Sequence, residues 1–255
     1  VWNPGQERVS FEWKEGSLFA IPLNAFHQHA NGDGSKPAVL LGVTSAPILM
    51  NLYHNREFIF NCPYVFSDRF QGATDEFRRE ARWLQEVPGG LWETNFIANV
   101  HDVALTSYEE RGKGLKHAYI ALAANTMKVH IAEFAVGTYK KAHRHGPGAH
   151  ILILNGTGFS LMWPPGTEPR RFNWHVGSLI SPPAGWYHQH FNTGAEPVFH
   201  LAFHRPASIH DKSERGQIEY EDEDPKIRQM FEQDLAHNGV QIDMPKFDGS
   251  SDDED

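Results

Sequence analysis

Three histidines carry the most specific chemistry in this sequence. His143 and His145 stand one residue apart at the end of Gly137-Thr-Tyr-Lys-Lys-Ala-His-Arg-His145, and His188 follows Pro183-Ala-Gly185 some forty residues later. Side chains alternate with period two along an extended chain, so His143 and His145 project from one side of a strand. A third imidazole from a neighbouring strand completes a face of three neutral nitrogen donors. Such a face suits a divalent ion and leaves coordination positions open for a reactant. A histidine pair also serves as a hydrogen-bonded core group, so the glycines, proline and asparagine around it decide the reading.

Those neighbours belong to a repeat. Phe11-Glu-Trp13-Lys-Glu-Gly16-Ser-Leu18 matches Phe172-Asn-Trp174-His-Val-Gly177-Ser-Leu179 at an offset of 161 residues. The same offset carries Pro22 onto Pro183, His27 onto His188, His29 onto His190 and Asn31 onto Asn192. Two related units are therefore expected. The counterpart of His143 in the first unit falls before Val1, so this chain is expected to be the C-terminal piece of a longer polypeptide, or one whose front was processed away.

Apolar runs alternating with turn residues over 38–66 predict strands finishing the first unit. A helix is expected over Thr74 to Glu86, with Thr74 as cap, Phe77, Ala81 and Leu84 on one face, and Pro88-Gly-Gly90 as stop. Residues 91–116 read as an irregular linker. Strand signals then dominate from His117 to His204. A last helix is expected from Pro225 to about His237, capped by Asp224, with Ile227, Met230, Phe231 and Leu235 as its apolar stripe and Asn238-Gly239 as its end. Short strands with few helices indicate an all-β barrel or sandwich.

At the histidines the resemblance becomes specific: the second unit resembles a cupin and the whole a bicupin. One cupin motif runs glycine, five residues, His-x-His, three or four residues, glutamate, six residues, glycine; here stand Gly137, His143, His145, Ala149 and Gly156. The other runs glycine, five residues, Pro-x-Gly, two residues, histidine, three residues, asparagine, matched by Gly177, Pro183, Gly185, His188 and Asn192. In the first unit Asn24 replaces the second glycine. The resemblance implies a double-stranded β-helix (jelly-roll) bicupin with a few peripheral helices and a first barrel incomplete in this chain. Its parts would be 1–70, the C-terminal half of a first barrel; 71–116, a helical linker; 117–210, a complete metal-binding barrel; and 211–255, a C-terminal helix and acidic tail.

The resemblance implies His143, His145 and His188 as metal ligands. The departure is Ala149 in the glutamate slot, a pattern similar to the gentisate and salicylate ring-cleaving dioxygenases, which bind Fe(II) through three histidines. His150 competes for the glutamate's place, although a regular strand turns it away from Ala149's side. His190 and Asn192 share the face of His188 and are candidates for orienting the rings. Trp186, Tyr187 and His190 are pocket candidates, as are Met162, Trp163, Phe203 and His204. Arg144 is expected to point away from the metal. His101, His117, His130, His175, His200 and His210 have no motif support and are taken as structural, and whether His27 once served a metal in the first barrel stays open.

Three imidazoles leave a divalent ion its full charge, which favours a small anionic substrate, aromatic or diketone-like. The expectation is an Fe(II) dioxygenase using O2, with Mn, Ni, Cu or Zn as other metals. The alternatives are a cupin metalloenzyme without O2 chemistry (a lyase, isomerase or decarboxylase) and a non-catalytic ligand-binding or storage bicupin of the vicilin type. The net charge of −9 argues against a nucleic-acid partner. The lone Cys62 allows no internal disulfide and suits a reducing cytoplasm. No apolar run has the length of a membrane span and no signal peptide opens the chain. A homodimer is expected from the resemblance.

Overall fold

The computed structural model describes residues 1–85, 91–122, 127–146, 148–204 and 216–245. It divides into two compact units, Val1–Ala104 with Tyr119–Val129, and Leu105–Ala118 with the described part of His130–Asp255. No helix among the described residues is long and apolar enough to cross a membrane.

The second unit is built from two sheets. One has the antiparallel order Arg170–Trp174, Gly158–Trp163, Tyr187–Asn192, His143–Arg144, Gly216–Gln217. The other places Leu179–Ile180, Ala149–Asn155 and Val198–His204 side by side, and residues 130–134 follow. Alternation sorts the first sheet's side chains onto two faces. Met162 and Trp174 pack inward with Ala132, Phe134, Ala149, Ile151, Ile180 and Ala202 of the second sheet. Phe159, Leu161, Trp163 and Phe191 pack on the opposite face against Ile227, Phe231 and Leu235. The fold is mostly β and of the jelly-roll class, but among the described residues no sheet closes on itself. The expected barrel is realised as two sheets sharing an interior.

The covering helix spans Pro225–Asn238, one residue beyond the expected end. Asp224 accepts from the backbone N–H of Lys226, Pro225 occupies the first turn and Gly239, at φ 67°, closes the helix. Each of its three buried apolar side chains contributes about 1.5–3 kcal/mol on leaving water. The chain beyond the helix returns across Gly137. A Cβ there would stand 2.2 Å from the Gln241 carbonyl oxygen, and φ is +70°. The first glycine of the metal motif is thus required by a close backbone approach.

The first unit departs from expectation. The segment 38–66 forms no strands but two helices, Ala46–Tyr53 and Arg56–Phe60. Thr44 Oγ1 accepts from Ala46 N just before the first helix, which has Pro47 in its first turn, and Asn55 caps the second by accepting from Phe58 N. Neither helix buries a residue. The helix expected over Thr74 to Glu86 is replaced by turns and the strand Arg82–Gln85; Glu86 lies outside the described residues. That strand pairs with Leu91–Thr94, and Trp83 meets Trp92 edge-on with centroids 4.8 Å apart. A cross-strand aromatic pair here outweighs the helical spacing of the apolar residues. Leu91–Thr94 runs parallel to residues 119–122. So the presumed helical linker contains strands, and among its described residues helical character is confined to the single 3-10 turns Val100–Asp102 and Glu109–Arg111.

The repeat survives as backbone. Ser17 N donates to Lys14 O and Ser178 N to His175 O, each at 3.0 Å, and Ala25 N to Pro22 O matches Trp186 N to Pro183 O. Asn24 and Gly185 both adopt left-handed conformations, at φ 56° and 76°. Asparagine is among the non-glycine residues that tolerate this region, which explains the exchange in the motif.

Candidate metal centre

The strand Tyr187–Asn192 lies between Gly158–Trp163 and His143–Arg144, with His188 directly opposite His143. This pairing brings the two motifs together. His143, His145 and His188 each offer one ligand atom, and these atoms lie within 4.8 Å of one another. Three nitrogens bound to one ion at about 2.1 Å lie about 3.0–3.4 Å apart in octahedral or tetrahedral positions, so the triad closes on a metal by inward movement of its rings. Ring centroids stand 4.3 Å apart for His143 and His188, 4.9 Å for His145 and His188, and 5.8 Å for His143 and His145.

Backbone carbonyls orient two of the rings. His143 Nδ1 lies 3.0 Å from Lys141 O and His188 Nδ1 lies 3.2 Å from Trp186 O. A carbonyl only accepts, so each Nδ1 carries the proton and each Nε2 is left as the metal-facing lone pair. Burial disfavours the imidazolium of both, pushing His188 down to about 3 and His143 well below the usual histidine range. Neutral imidazoles are what a metal requires. His188 is buried while His143 and His145 are half-buried, so the triad has an open side.

Ala149 is buried in the interior core and supplies no carboxylate. Among the described residues no fourth ligand joins the three. His150 is not brought to the centre: it is exposed, and its Nδ1 lies 2.7 Å from Ser181 Oγ. The register of Ala149–Asn155 against Val198–His204 shifts between Phe199 and His200 and is regular around His150, so no bulge turns it inward.

The other candidates separate by strand face. His190 faces inward, its ring 5.7 Å from His188 and its Nδ1 2.7 Å from Ser160 Oγ, which also accepts from Trp174 Nε1. Trp186 packs on the interior core beside Met162. Tyr187 and Trp163 stack on each other on the helix-covered face, away from the triad, and Arg144 lies over the Tyr187 ring. Phe203 pairs with His150 and so shares its face, directed away from Ala149. Asn192 orients no histidine: its amide donates to the carbonyls of Ala135 and Glu196 and its Oδ1 accepts from Gly194 N.

Two histidines taken as structural, His130 and His200, lie in this interior with the pocket candidates His204 and His190. His204 stands 6.0 Å from His145, His130 4.8 Å from His204, His200 5.8 Å from His130 and 6.3 Å from His190. With His188 they close a ring of imidazoles that starts and ends at the triad. Buried Lys140 adjoins it, with Nζ 3.3 Å from His200 Nε2. Lys140 lies between Gly137 and His143 in a segment whose only strand pairing among the described residues is the isolated bridge Tyr139 to Phe191, where strand alternation assigns no direction to a side chain. His210 lies outside the described residues. His27 and His29 are exposed, with no strand beside them.

No family model matches the sequence, and no curated protein matches it. Solved structures similar to it include a cupin 2 conserved barrel domain protein from Rhodopseudomonas palustris (18% identity, 59% of this chain, 98% of that one, TM-score 0.40). Others are the formate complex of oxalate decarboxylase from Lactobacillus farciminis (15%, 69% and 51%, 0.40) and the 7S globulin of Momordica charantia (12%, 52% and 46%, 0.39). The chain thus spans about half the length of the last two.

Proposed function

We propose that this protein is a metal-dependent enzyme of the cupin type, an Fe(II) dioxygenase acting on a small anionic compound, aromatic or diketone-like. The observation that carries this is the all-imidazole triad with alanine in the glutamate slot. Bound there, Fe(II) would supply a centre of undiminished +2 charge and the redox chemistry that lets O2 react with an organic anion. The protein's own groups do the rest. His143, His145 and His188 hold the ion, the carbonyls of Lys141 and Trp186 fix two of the rings, and Met162 and Trp186 exclude water from one side. The half-buried edges of His143 and His145 leave an approach for the substrate, and among the described residues no side-chain carboxylate joins the centre to repel an anion.

The test is oxygen uptake by protein loaded anaerobically with Fe(II) and given a panel of hydroxybenzoates and β-diketones. The expected result is uptake with at least one compound, abolished in His188→Ala. Full metal loading with no oxygen consumption, but carbon dioxide released from a carboxylic acid, would replace this reading by the non-oxidative one.

A further inference from the structure

Two stretches of the first unit have backbone groups to offer. Among the described residues, no backbone hydrogen bond joins residues 10–13 or 27–31, and neither stretch belongs to a strand. Both lead away from one antiparallel start. Val1 and Val9 exchange two backbone bonds of 2.9 Å, and so do Trp2 and Phe26. The offset of 161 residues carries these pairs onto Met162 with Arg170 and Trp163 with Tyr187. There they end the strand Gly158–Trp163, which lies between Arg170–Trp174 and Tyr187–Asn192. Val1 and Trp2 are therefore the end of a central strand, and residues 10–13 and 27–31 flank the place of its remainder. Edges of this kind take up a strand.

The rings joined by Ser160 point to the same place. Ser160 Oγ lies 2.7 Å from His190 Nδ1 and accepts from Trp174 Nε1 at 3.0 Å. Trp13 and His29 hold the corresponding positions with ring centroids 6.5 Å apart, and among the described residues neither ring makes a hydrogen bond. We propose that a β-strand of the same polypeptide, running into Val1, fills this place and carries serine or threonine two residues ahead of Val1, opposite His29. A hydroxyl there can accept from the Trp13 indole and serve the His29 ring as well. A strand continuous with Val1 keeps both ladders in register, whereas a separate chain would have to break off at the Val1 amine.

The test is the protein extended ahead of Val1 by Gly-Phe-Ser-Leu, the residues that precede Met162-Trp163 in the other copy. Hydrogen-bonded pairs alternate along an antiparallel ladder, so the N–H groups of Phe11 and Trp13 on one side and Gln28 and Ala30 on the other face the added strand. Amide exchange followed by NMR should slow about 10-fold or more at these four and stay unchanged at His27 and His29. The Trp13 indole N–H should slow as well, but not when the extension is Gly-Phe-Ala-Leu. Unchanged exchange at the four amides, slowing shared by His27 and His29, or an indole indifferent to the serine overturns the proposal. The free peptide Gly-Phe-Ser-Leu-Met-Trp, added in equimolar amount to the unextended protein, should leave the amides as they were. Equal slowing by that peptide would give the place to a separate chain and overturn its assignment to the same polypeptide.

Discussion

The segments His27-Gln-His-Ala-Asn31 and His188-Gln-His-Phe-Asn192 are copies of one pattern with opposite fates. Both follow the same turns, down to the hydrogen bonds Ser17 to Lys14 and Ser178 to His175. Yet residues 188–192 are buried in a strand paired on both sides, and residues 27–31 are exposed and belong to no strand. Trp174 reaches His190 through Ser160, whereas Trp13 only meets the ring of His29 edge-on, 6.5 Å away. Local sequence therefore sets the turn, and the neighbouring strands turn a histidine pattern into a donor site. Without Gly158–Trp163 and the His143 segment alongside, the same imidazoles are surface groups.

The largest effect should separate the copies by metal. His188→Ala should lower bound metal, measured by elemental analysis after loading, to less than about a tenth of the parent's. His27→Ala should leave it unchanged. Loss of metal in the His27 variant would break the comparison.

Next in size is acid sensitivity of the metal-free protein. Burial lowers His130, His190 and His200 well below the ordinary value and His188 to about 3. The unfolded chain then takes up protons first, so this stability is complete above pH about 6.5 and falls as pH drops toward 3, by about 1.4 kcal/mol per unit for each such ring. Urea midpoints measured across that window should decline steeply, and His200→Phe should flatten the decline. A flat parent profile would show that these rings are not buried neutral.

Smaller still is the Ser160 bridge. Ser160→Ala strips the partner from both Trp174 Nε1 and His190 Nδ1 and should cost about 1–3 kcal/mol in chemical denaturation. Trp13→Phe, its nearest analogue in the other copy, should cost under about 0.5 kcal/mol. Equal costs would mean that the two tryptophans have similar surroundings after all. The smallest change sharpens the backbone match. Gly185→Ala should cost about 1–2 kcal/mol because φ is +76° with nothing near the added Cβ, and Gly185→Asn less, since Asn24 holds the same turn at 56°. An asparagine costing as much as alanine would refute that equivalence.

The meeting of the three histidines and the final helix were legible in the sequence, and the structure of residues 38–86 was not. The difference is physical. At the helix Pro225–Asn238 the cap, the proline, the apolar stripe and the terminal glycine agree, and at the triad glycine and histidine spacings agree. Between 46 and 60 short apolar runs carry no periodicity that separates strand from helix; Asn55 caps the second helix through Phe58 N, and the first starts with Pro47 in its first turn and Thr44 Oγ1 accepting from Ala46 N. Around Arg82–Gln85 the helical spacing was real but lost to the pairing of Trp83 with Trp92.

Residue identity and short-range spacing were enough to specify the turns, the capped helix and which three imidazoles would meet, because each depends on groups a few residues apart or on strict strand alternation. Only long-range packing decided that His150 would bond to Ser181 outside, that Asn192 would clamp backbone, and that Lys140 would be enclosed beside His200. Those outcomes depend on which strand lies next to which and where a strand bends, and such contacts join residues up to sixty positions apart.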